Sequence, residues 1–104
     1  MSMEYRLFPC SQYSCLSSGI LSSSGAIKVT PGILVGVLAY TDGANDVTVT
    51  IYDNSSAAAG TVLSKIVVPG ADKTGGEVNI MCEARTGIYM SISGTGATAL
   101  IRYV

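Results

Sequence analysis

The stretch VTVTIYDNSSAAAGTVLSKIVV, residues 47–68, decides how the rest of the chain is read. Its first residues alternate. Val47, Val49 and Ile51 fall on one side of an extended chain, and Thr48, Thr50 and Tyr52 on the other. Residues 61–68 make a second, looser run that stops at Pro69-Gly70. Between the runs stands Asp53-Asn54-Ser55-Ser56, followed by Ala57, Ala58, Ala59 and Gly60. Asp and Asn side chains bond backbone groups two residues on and so start turns. Small residues then let the chain reverse. The stretch predicts a strand, a corner and a returning strand, with the polar quartet as the corner rather than a metal or sugar site.

The same grammar extends in both directions. Residues 26–30 form a short strand ending at Pro31-Gly32. Residues 33–40 follow and are apolar on both faces. Strict alternation puts Ile33, Val35, Val37 and Ala39 on one face and Leu34, Leu38 and Tyr40 on the other. Gly36 inside this run predicts a bulge or a close backbone approach. Downstream, residues 77–83, 88–93 and 97–104 read as strands, separated by Thr86-Gly87 and Gly94-Thr95-Gly96. In 88–93, Ile88, Met90 and Ile92 face inward, and Tyr89, Ser91 and Ser93 outward. No apolar pattern of helical period is sustained. The count is seven strands, or eight with one from the N-terminal segment. The fold expected is all-β: one antiparallel β-sandwich or jelly-roll-like domain over 26–104, with 1–25 as an N-terminal arm or edge segment.

Composition narrows the function. The chain of 104 residues suits one domain. Apolar residues make up 48% and charged residues 12%, with a net charge of -1. That balance excludes the basic footprint of a nucleic-acid binder and the composition of a disordered chain. So few charges on so small a domain point to surface covered by another chain. No signal-like apolar run is visible, and 33–40 is too short to cross a bilayer. Synthesis in a cytoplasm is expected, with no membrane partner.

Chemistry finds little purchase. There is no histidine, the commonest general base. Glu77 and Glu83 sit at the ends of one strand, about 20 Å apart at ~3.3 Å per residue, too far to share one bond. The three cysteines, Cys10, Cys15 and Cys82, are an odd set for a disulfide framework and lack the partners of a zinc site. Cys82 continues the apolar row of Val78 and Ile80. Asp42, Asp46 and Asp53 would make a calcium site only by meeting at one end of the sandwich, whereas each sits in ordinary turn chemistry. No catalytic, cofactor-binding or metal residue is expected. The candidate subunit or partner contacts are Leu34, Leu38 and Tyr40 on the outer face of the 33–40 strand, with Tyr52 and Tyr89 on sheet faces opposite the apolar rows.

From residue 33 to 104 the segments GILVGVLAYTDG, VTVTIYDNSSAAAGTVL and TGIYMSISGTGATALIRYV follow one another. This order resembles small all-β structural proteins of tailed bacteriophages, several of which carry a similar YDN-SA-GT hairpin and a late TGLY-like pair. The resemblance implies a non-enzymatic virion protein made in the host cytoplasm, such as a capsid decoration, cement or head-accessory protein. It also implies a homo-oligomer, with a trimer favoured, bound to the major capsid protein or another virion protein. The alternative is a small carbohydrate- or receptor-binding module, fibre-tip or lectin-like, using Tyr52 beside Asp53 and Asn54.

Overall fold

A computed structural model describes residues 15–70 and 76–104. The described residues form eight strands and no helix: β1 (Leu16–Ser17), β2 (Gly25–Lys28), β3 (Gly32–Tyr40), β4 (Val47–Asp53), β5 (Thr61–Val68), β6 (Gly76–Ala84), β7 (Ile88–Ser93) and β8 (Thr98–Tyr103). They make two four-stranded antiparallel sheets, ordered β1-β8-β3-β6 and β2-β7-β4-β5. A single hydrophobic core lies between the sheets. The all-β, sandwich-like architecture expected from the sequence is therefore present, and its eighth strand, β1, lies within the N-terminal segment.

The pairing is nested. β4 pairs with β5, β3 with β6, β2 with β7 and β1 with β8, as if one long hairpin were folded over on itself. Two further ladders, β3 with β8 and β4 with β7, knit the halves into sheets. The chain thus passes from one sheet to the other at every connection except β4–β5. At one end of the sandwich lie the loops 18–24, 41–46 and 94–97. At the other lie 29–31, 54–60 and 85–87.

β4 behaves as its alternation requires. Val47, Val49 and Ile51 are fully buried, and Thr48, Thr50 and Tyr52 are half-buried on the outer face. β7 does the same with Ile88 and Met90 inside. Cys82 carries a free thiol and packs against the core beside Ile80.

β3 departs from strict alternation. Between Leu34 and Gly36 its register shifts against both neighbours: two steps along β3 answer three on β6 and one on β8. The strand turns over at this irregularity. Leu34 points into the core at 0% exposure, and Ile33, expected inside, is turned outward. Leu34 is therefore not an outer-face contact. Leu38 and Tyr40 remain half-buried opposite Val37 and Ala39, which stay inside. Gly36 marks the irregularity because it pairs with Asn79 and Arg102 just where the strand changes face.

The odd count of cysteines argued against a disulfide framework, yet Cys15 is disulfide-bonded. Cys10 lies outside the described residues.

Candidate functional site

The polar corner is built by Asp53 and Asn54, at the end of β4. Asn54 makes the local turn: its Oδ1 accepts from the backbone N–H groups of Ser56 (2.9 Å) and Ala57 (3.0 Å). Its Nδ2 donates to the Ala59 carbonyl at 3.1 Å. Asp53 does something the sequence did not disclose and reaches across to the β6–β7 turn. Its Oδ1 accepts from the N–H groups of Thr86 (2.8 Å) and Gly87 (3.3 Å), and its Oδ2 from that of Arg85 (3.0 Å). These bonds, the one from Thr86 foremost, hold its carboxyl below the usual carboxylate range. Gly87 sits where three loops meet. A Cβ there would lie 2.6 Å from the Lys28 carbonyl and 2.9 Å from Ser55 Cα.

The opposite end is tied in the same way. Asp42 Oδ1 accepts from the N–H groups of Ala44 (2.9 Å) and Asn45 (2.8 Å), and its Oδ2 from Asn45 Nδ2 (2.8 Å). The Ala44 bond is the chief reason its carboxyl also stays below the ordinary value. Asp46 Oδ1 accepts from Gly70 N–H at 2.7 Å. Asp42 and Asp46 thus lie at one end of β4 and Asp53 at the other. Among the described residues, no three acidic, cysteine or histidine side chains gather where a metal ion could sit. Glu83 is exposed and forms a 3.6 Å ion pair with Arg85.

The five contact candidates separate onto different parts of the molecule. Leu34 is core. Leu38 and Tyr40 lie on the outer face of the first sheet, where Leu38 stands in register with Leu100 and Tyr40 with Thr98. Tyr52 and Tyr89 lie on the outer face of the second sheet and are direct cross-strand partners. Ala26 and Val62 flank them, so the row Ala26, Tyr89, Tyr52, Val62 crosses all four strands. The neighbouring row, Ser91, Thr50 and Lys65, is polar.

The sequence reading missed the sheet edges. β5 and β6 each end a sheet and carry exposed apolar side chains: Val62 and Val67 on β5, Met81 on β6. Alternation could place these residues on an outer face. Only the topology reveals that their strands are edges. Compared with protein-family models, curated proteins and solved structures, the chain matches none.

Proposed function

We propose that this chain is a non-enzymatic virion structural protein of a tailed bacteriophage, a capsid decoration, cement or head-accessory component that associates with itself and docks on the major capsid protein or another virion protein. The observation that carries the reading is the nested pairing of eight strands into two four-stranded sheets. That order supports a jelly roll, an architecture used by viral capsid and lectin domains. A fold alone does not set a function, so the side chains matter. The polar groups at both ends of the sandwich hold loops together rather than reaching outward. What remains for a partner is apolar and hydroxyl-bearing sheet surface: Leu38, Tyr40 and Leu100 on one face, Tyr52 and Tyr89 on the other.

The cross-strand Tyr52–Tyr89 pair favours a second reading, a glycan-binding face, because two rings beside Thr50 and Ser91 offer a stacking platform with hydroxyls. Against it, Asp53 and Asn54 are already engaged by backbone groups, which turns them toward the loops they hold. Co-sedimentation with phage heads lacking accessory proteins tests the first reading: the chain is expected to pellet with the heads. Binding to immobilised glycans that is lost in Tyr52→Ala and Tyr89→Ala, with no binding to heads, would replace it with the second.

A further inference from the structure

We propose that two copies of this chain join through β5 and β6, which end their sheets among the described residues, with β5 of each copy pairing antiparallel to β6 of the other. This contact does not depend on the virion role. β5 and β6 are the last strands of their sheets and lie on the same side of the sandwich. The opening of β6 rests on β5: a Cβ at Gly76 would lie 3.0 Å from Val68 Cγ2 and 3.1 Å from Ile66 Cδ1. The two strands run in opposite directions, because each is antiparallel to its own neighbour and the chain reverses between β3 and β4. A two-fold axis parallel to the strands therefore brings each β5 alongside the other copy's β6 in the antiparallel sense. Each sheet of one copy then continues into the opposite sheet of the other, with outer faces aligned.

One register satisfies both faces at once. Placing Val67 opposite Met81 covers two apolar side chains that are 58% and 60% exposed. The same register sets Lys65 opposite Glu83 on the outer face. On the inner face it sets Ile66 opposite Cys82 and Val68 opposite Ile80, all of which pack on or belong to the core. Lys65 has no carboxylate partner among the described residues, and the Glu83–Arg85 pair it would join is almost wholly in water, where such pairs hold weakly. The irregularity of β5 lies between Ser64 and Val62, which leaves residues 64–68 regular. Lysine within an edge strand is a usual guard against edge-to-edge pairing. Here it would face a carboxylate of β6, whereas pairing β5 with another β5 centred on this residue would set lysine against lysine.

The test is solution mass across concentration, by sedimentation, on the full chain. The native chain is expected at twice its 10.7 kDa mass. Lys65→Glu and Glu83→Lys are each expected to weaken association tenfold or more, and the two together to restore it. Both sites are exposed, and an unchanged circular dichroism spectrum with a cooperative melt confirms that each variant folds, the melting temperature itself falling as the partner is lost. Ile66→Cys is expected to cross-link to Cys82 of a second copy on oxidation and to run at twice the mass without reductant; adding Cys82→Ser abolishes this. A native monomer at all concentrations, a trimer or larger species indifferent to the charge swaps, or a double swap that fails to restore the dimer would each overturn the proposal.

Discussion

Asp53 holds two connections of the chain with one carboxylate. Its oxygens accept from the backbone of Arg85, Thr86 and Gly87, which follow β6, while its own residue ends β4. Because these bonds favour the ionised form, its pKa is lower in the folded chain than in the unfolded one. The stability it contributes is thus complete above the ordinary carboxylate value of about 4 and is lost as pH falls toward and through the depressed native value. Asp42 acts in the same direction at the other end. The melting temperature is expected to fall below pH 4. Asp53→Asn should lower it at neutral pH and flatten the acid slope, leaving the part due to Asp42; an unchanged slope would remove Asp53 from this role. Added calcium or chelator should shift neither curve. Gly87 is the partner constraint. Gly87→Ala would push a methyl against the Lys28 carbonyl and is expected to cost about 1–3 kcal/mol in urea unfolding, as overpacking does.

At the scale of the element, β3 shows where sequence reasoning succeeds and where it stops. The strands β4 and β7 have the bounds their alternation predicts, because each carries its own hydrophobic phase, and the looser β5 has the bounds its flanking turn residues predict. The extent of β3 was legible too, and so was Gly36 as the site of an irregularity. Which face each residue took was not legible, since a run apolar on both sides gives no phase, and a bulge reverses whatever phase is assumed. Leu34 thus moved from the expected contact surface into the core. The Asp53 clamp was hidden for a different reason: local turn chemistry explains Asp53 adequately, and nothing in the sequence marks residues 85–87 as its neighbours. The two leucines of β3 separate the assignments. Leu34→Ala is expected to destabilise by about 2–5 kcal/mol, the range for a buried leucine. Leu38→Ala, half-buried on the outer face, is expected to cost clearly less in the isolated chain. Equal losses would mean that both sides of β3 are core.

For the whole molecule, the nested pairing has a kinetic consequence. Ile51 meets Ser64 across a short loop, Val37 must find Val78, Ala26 must find Tyr89, and Leu16 must find Tyr103 near the far end of the chain. Each ladder draws together residues more distant along the chain than the one inside it, and among the described residues no helix supplies early local contacts. Chains dominated by such remote partners cross slow barriers, on the order of milliseconds to seconds. Forming β4 with β5 first shortens every later closure, so the corner at 54–60 acts as the pivot from which the chain zips outward. Lengthening that corner with flexible residues is expected to slow refolding while leaving the unfolding rate nearly unchanged, because a looser corner raises the entropy of closing a loop that the transition state already contains. Extra residues in 94–97 should act mainly on unfolding. The polar quartet in the middle of residues 47–68 would then set the pace at which the rest of the molecule can assemble.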